Sequence, residues 1–161
     1  MPDQPLAYHI TFGMYGSRLH GDARGTVDRS MNKPGDPIIG RDTDWEQLER
    51  SVLRFPLVIP TSQQRQFAES TIPSICDRGG WQLHTCAAQG DHVHTLLTTM
   101  ADAKTVRRLL KRWLGQALSE RWPLPAEATW WAEAGSIKWI WDEQYFENVF
   151  SYIERQRTNK G

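Results

Sequence analysis

No stretch of the 161-residue chain approaches the ~18 consecutive apolar residues that a membrane-spanning helix needs. Cysteine is scarce, and Cys76 and Cys86 match neither a disulfide framework nor a Cys-x-x-Cys metal site. Net charge is absent as well. With 19 basic and 19 acidic side chains, a generally basic nucleic-acid coat is excluded, and any such binding must come from local clustering. The segment MPDQPLAYHI has an acid and two prolines where a secretory signal would carry positive charge and an apolar run. The expected location is therefore the cytoplasm. Internal repeats and low-complexity tracts are also missing. What is present is an ordinary globular balance, 39% hydrophobic and 24% charged, in a length suited to one domain over 1–161.

Ala7–Tyr15 is β-branched, aromatic and roughly alternating, which predicts a first strand. Residues 16–60 are irregular and rich in glycine and proline, and read as a long insertion. Within it, Trp45, Leu48, Val52 and Phe55 have approximate helical spacing, enough for a short helix. Thr61 and Gln64 form a capping-box pattern that opens a helix, and Gly79-Gly80 stops it. Pro73 lies inside and is expected to kink or split that helix. Trp81–Ala88 and His92–Thr98 then read as strands around a Gln89-Gly90-Asp91 turn. Asp102–Trp122 carries the clearest helical period, through Val106, Leu109, Leu110, Trp113, Leu114, Ala117 and Leu118. Ile137–Trp141 predicts a fourth strand, and Asp142 caps a last helix to about Arg157. Residues 158–161 read as a frayed tail. The order β, insertion, α, β, β, α, β, α predicts an α+β fold. Its economical form is a ferredoxin-like split β-α-β sandwich: an antiparallel four-stranded sheet, helices on one face and an extra C-terminal helix.

Three groups of residues can carry chemistry. Along a strand, alternate side chains share a face, so His92 and His94 project together while Val93 points away. Two imidazoles so placed are ready ligands for a divalent ion, although two surface histidines would give the same pattern. Histidine-triad hydrolases need a third alternating histidine, where this chain has Leu96. Phosphoesterases with paired His-x-Thr motifs need two copies, and His9-Ile10-Thr11 supplies one. On the last helix, Tyr152 and Gln156 sit one turn apart on a ridge flanking the expected core stripe of Phe146, Phe150 and Ile153. Glu147, Asn148, Ser151, Glu154 and Arg155 are expected on its solvent side. A tyrosine at the edge of such a stripe can be packing or a nucleophile, and the glutamine can offer an amide oxygen to a metal.

The third group is the Asp102–Trp122 helix, with six basic side chains against two acidic ones. Lys104, Arg107, Arg108 and Lys111 fall on one face at i, i+3, i+4 and i+7, a stripe suited to a phosphate backbone or simply to solvent. Trp130, Trp131, Trp139 and Trp141 can stack bases, though tryptophan in a small domain usually buries.

Taken together, GGWQLHTCAAQGDHVHTLLTT, then KWIWDEQYF, then YIERQ resemble the single-tyrosine HUH transposases. The likeness is closest to REP-associated tyrosine transposases and their relatives in small bacterial insertion sequences. His92-Val93-His94 is the His-hydrophobic-His element that names the family. The resemblance implies that His92, His94 and Gln156 hold a divalent cation, Mg²⁺ or Mn²⁺, and that Tyr152 is the nucleophile. Tyr145, on the same ridge, is the fallback. It further implies cleavage and rejoining of single-stranded, hairpin-associated DNA through a 5′-phosphotyrosine, by a homodimer with no membrane association. A non-catalytic module of the same fold that holds hairpin DNA or RNA is the alternative, and a purely structural role the third.

Overall fold

The computed structural model describes residues 3–15, 59–126 and 128–158. The helix expected around Trp45–Phe55, nearly all of the 16–60 insertion, and the tail beyond Thr158 lie outside the described residues. Those described form β1 (Ala7–Gly13), α1 (Ser62–Gly79), β2 (Gln82–Gln89), β3 (His92–Thr98), α2 (Ala103–Arg121), β4 (Ser136–Ile140) and α3 (Glu143–Gln156). The strands lie in the order β2-β3-β1-β4, each neighbouring pair antiparallel. Helix α1 thus carries the chain from β1 past β3 to β2, and α2 carries it from β3 past β1 to β4. This is the ferredoxin-like split β-α-β arrangement.

The local signals act as the sequence predicts. Thr61 Oγ1 accepts from the Gln64 amide at 3.1 Å while Gln64 Oε1 accepts from the Thr61 amide at 2.9 Å, closing the capping box. Asp102 caps α2 through the Thr105 amide, and Asp142 caps α3 through the Tyr145 amide. Gly80 ends α1 with a left-handed φ of 76°, which a glycine adopts without steric cost. Pro73 differs from expectation, because α1 continues through it. Proline cannot donate to the carbonyl four residues back, that of Glu69. The Cys86 thiol, reaching across from β2, donates to that carbonyl at 3.5 Å instead. A tertiary contact replaces the missing helical one.

The two-residue period of the strands sorts side chains onto two faces. Tyr8, Ile10 and Phe12 of β1 and Met14 just beyond it, with Val93 and Leu97 of β3, face α1 and α2. There they meet Ile72, Ile75 and Cys76 of α1 and Val106, Leu110, Leu114 and Leu118 of α2, all buried. Trp130 and Trp131 close this core: their indole N–H groups donate to Ser119 Oγ at 2.8 Å and to the Lys111 carbonyl at 2.7 Å. The opposite face is smaller. Ala7, Ala87, Leu96 and Ile140 pack against Val149 and Ile153 of α3, flanked by half-buried Tyr145, Phe146 and Phe150. The buried line of α3 is therefore Val149–Ile153, and the two phenylalanines expected at its centre sit at its border. A register shift between Leu83 and Thr85 brings Thr85 opposite Leu96, onto the α3 face. His84, within the shift, packs its ring edge-on against Phe146 of α3. Thr85 then donates to Glu154 Oε2 at 2.5 Å, so Glu154 seals the outer strand β2 rather than facing solvent alone.

Candidate active site

His9, Thr11, His92 and His94 lie on the α3 face of the two central strands, where antiparallel register sets Thr11 opposite His94 and Gly13 opposite His92. Nε2 of His9 is 3.3 Å from Nδ1 of His94, and the Thr11 hydroxyl is 3.2 Å from the first and 3.3 Å from the second. The two imidazoles stack with centroids 5.5 Å apart. Burial, then the charge of Lys138, lowers His9 to about 4. Burial, then His9 and His92, lowers His94 to about 4 as well. Both rings are therefore neutral at pH 7, each with a lone pair to offer.

His92 is held differently. Its Nδ1 donates to Asp91 Oδ1 at 2.6 Å, and a carboxylate there fixes the proton on Nδ1. Nε2 takes no part in that bond. In His94 too, Nδ1 is the engaged nitrogen, and among the described residues nothing hydrogen-bonds Nε2 of either ring. Two imidazoles on one face whose Nε2 atoms are unbonded among the described residues are suited by donor chemistry to a divalent cation. Among the described residues, no three His, Cys, Asp or Glu side chains gather closely enough to hold a metal ion, so a third protein donor would have to be of another type.

Helix α3 delivers Tyr152 to this place. Its ring stands edge-on to His94, centroids 5.7 Å apart, while 42% of the residue remains exposed. Anchoring comes from Val149 and Ile153, which flank Tyr152 along the helix and are buried. Tyr145, by contrast, is committed to packing against the small core. Gln156 is the last residue of α3, half-buried, and its amide makes no hydrogen bond among the described residues. Beside His92 opens a cleft of about 480 Å³, lined by Thr11, Gly13, Glu133 and Ser136.

The basic stripe lies on the other side of the sheet. Lys104, Arg107, Arg108 and Lys111 border an open groove of about 400 Å³ on α2, closed at one end by Ala134. Lys111 is spoken for: its Nζ donates to the carbonyls of Ala132 and Ala134 at 2.8 and 2.9 Å. Those bonds hold a loop in which Ala134 has a φ of 58°, and a side chain at Gly135 would collide with the Thr11 carbonyl. Lys104, Arg107 and Arg108 form no ion pair among the described residues. The tryptophans divide in the same way, Trp130 and Trp131 buried, Trp139 and Trp141 exposed.

His9, Thr11 and Asp91 are the site residues that sequence reasoning did not assign. Asp91 was legible as the neighbour of His92. His9 and Thr11 become visible only once β1 is known to pair with β3 in this register.

No protein-family model matches the chain, and no curated protein matches its sequence. Among solved structures, the chain is similar to a "putative transposase" from Deinococcus radiodurans R1 at 15% identity and a TM-score of 0.48. That likeness covers 97% of this chain and 94% of the other.

Proposed function

We propose that this protein is a transposase-like, metal-dependent DNA strand transferase that acts on single-stranded DNA beside a hairpin, working as a homodimer. One observation carries the reading: the exposed Tyr152 ring stands against His94 of the His-hydrophobic-His strand. A nucleophile must be both reachable by substrate and close to the groups that stabilise the reaction, and Tyr152 meets both demands.

In the proposed reaction the Tyr152 oxygen attacks a scissile phosphorus. The bond from phosphorus to the 3′-oxygen breaks, the 3′-oxygen leaves as a hydroxyl with a proton, and the phenolic proton is lost to solvent. A 5′-phosphotyrosine results, and attack by a second 3′-hydroxyl reverses the step on a new partner. The phosphodiester energy stays in the covalent bond, so no nucleotide triphosphate is consumed. His92 and His94 would hold Mg²⁺ or Mn²⁺, with Gln156 completing the set from the end of α3. The bound cation would supply Lewis acidity toward the phosphoryl oxygens. Asp91 orients the His92 ring, and His9 with Thr11 orients that of His94, so the two Nε2 atoms are fixed before anything binds. The cleft beside His92 gives the DNA strand room on the same face.

Incubation with hairpin-bearing single-stranded oligonucleotides and Mn²⁺ should yield an adduct stable in SDS. Tyr152→Phe should abolish it with DNA binding intact, and EDTA should abolish it in the parent protein. An adduct that survives Tyr152→Phe but is lost in Tyr145→Phe moves the nucleophile to the earlier tyrosine. Tight, salt-sensitive binding with no adduct on any hairpin leaves the non-catalytic module.

A further inference from the structure

Strand β4 is an outer strand of the sheet, and its alternate residues look in opposite directions. Lys138 falls on the α3 face, opposite His9 in register. Trp139 falls on the α1/α2 face, opposite Tyr8, whose ring it meets edge-on at 5.7 Å. Trp141, just beyond the strand end, lies against Trp139 with centroids 5.9 Å apart. Both indoles are exposed, at 55% and 44%, whereas Trp81, Trp130 and Trp131 are buried and Trp113 and Trp122 are partly buried against the larger core. Exposing two adjacent indoles forgoes some of the largest burial gains a side chain can make.

The same side of the sheet carries the basic groove. Lys104, Arg107 and Arg108 line it, and the Arg107 stem passes beside Gly135, immediately ahead of β4. These three cations are not neutralised within the described residues, and like charges held close repel. Glu133, in the loop that Lys111 holds, acts on Lys111 but forms no salt bridge with these three among the described residues. Asp102 and Asp142 are turned into the N-termini of α2 and α3 as caps. Three cations without an ion pair among the described residues, on the same side of the sheet as two exposed indoles, complement an anionic chain with flat faces.

We infer that β4 and α2 form a second contact for single-stranded DNA, in which bases stack on Trp139 and Trp141 while phosphates follow Lys104, Arg107 and Arg108. Stacking on exposed aromatic rings tolerates any base, since every base has a π face. Cations along the track supply the salt-dependent part of the affinity. Because Lys138 points to the catalytic face and Trp139 to the other, a strand leaving the His94–Tyr152 site can cross the β4 edge onto the indoles. The inference deepens the proposed function by naming where DNA flanking the scissile phosphate rests, and it stands or falls separately from the chemistry.

The test uses the full chain and a fluorescein-labelled oligo-dT 20-mer, read by anisotropy at several salt concentrations. Trp139→Ala with Trp141→Ala should weaken binding by roughly tenfold or more. Trp139→Phe with Trp141→Phe, which keeps both rings, should restore most of it. Lys104→Gln with Arg108→Gln should lower the magnitude of the salt slope by about 1.4, about 0.7 per charge on a single strand. Unchanged affinity in the double alanine variant, with a native circular dichroism spectrum, overturns the inference. So does a wild-type dimer that becomes monomeric on that substitution with unchanged affinity, which makes the indoles an interface between copies of the chain. A covalent adduct that forms as well in the alanine variant as in the wild type, on long and short oligonucleotides alike, removes this surface and leaves the reaction standing. Indole-dependent binding without any adduct does the reverse.

Discussion

The two faces of the sheet follow different rules. Under α1 and α2 the strands present an almost unbroken apolar layer, and the buried Thr95 hydroxyl among them donates to the Ile10 carbonyl at 3.1 Å. Under α3 six residues are fully packed, and beside them lie three histidines, a threonine and a half-exposed tyrosine. A face that buries enough apolar surface can hold the fold on its own. Its opposite can then keep polar groups half-solvated without unfolding the chain. In this molecule stability and candidate chemistry are separated by the thickness of a single sheet.

The largest expected effects would break that comparison outright. Leu114 is fully buried between α2 and the sheet, so Leu114→Ala should cost about 3 kcal/mol through lost transfer energy and the cavity left behind. Urea unfolding followed by circular dichroism measures it, and all elements should melt together. Ile153→Ala removes a side chain equally buried, but on the smaller face. Its main consequence should be local: amides of α3 should exchange with solvent sooner, while those of α2 keep their protection. Equal loss of protection in both helices would show that the faces do not act separately.

Next in size is the tie between the faces. Glu69 on α1 is 2% exposed, yet it reaches around the outer strand β2. Its Oε2 accepts from the amides of Ala88 and Thr158 at 3.1 and 2.8 Å and from the Thr158 hydroxyl at 3.0 Å, while Arg157 Nε donates to Oε1 at 3.4 Å. A buried carboxylate is tolerated only when so completely bonded. Glu69→Ala strands those donors and should cost about 2 kcal/mol, discounted because Arg157 keeps access to water. Exchange at the end of α3 should rise more than at its start, since the bonded residues directly follow Gln156. Uniform exchange along α3 would mean that the tie does not position the helix.

The fold was legible in the sequence because its signals are local. The capping box at Thr61, the turn at Gly90, the aspartate caps and the leucine period of α2 each fix a short stretch, and together they leave one economical topology. What escaped notice is long-range. Pro73 reads as a breaker until Cys86 is known to serve the orphaned carbonyl, and the bonds from Lys111 to the loop carbonyls have no signature in the spacing of the basic stripe. His9 became part of the candidate site through pairing between strands, and Glu69 became a tie through a contact with residues far along the chain. Alternation along one strand can announce His92 and His94, but no single-strand pattern announces a neighbour on the next.

The smallest expected effect concerns the two cysteines, which belong wholly to the structural face. Burial, then Asp77, pushes the Cys76 thiol up to about 12. Burial, then Glu69, does the same to Cys86, also to about 12, with Arg157 opposing. The thiolate is the reactive form, so neither should react with iodoacetamide at pH 8 in the folded protein, while both should react at once in urea. Stability should be unaffected by these groups at neutral pH, where both states keep their protons. Above the ordinary thiol range, the unfolded chain loses those protons first. It is thereby favoured, and stability falls as pH rises toward 12. Cys86→Ala removes one such group, and with it the donor to the Glu69 carbonyl. It should flatten the alkaline loss measured by urea midpoints between pH 8 and 10.5, at a cost of about 1 kcal/mol at neutral pH. Rapid alkylation of either thiol in the folded state would mean that the α1 side of the sheet opens readily. The division of labour between the two faces would then be far less strict than their packing implies.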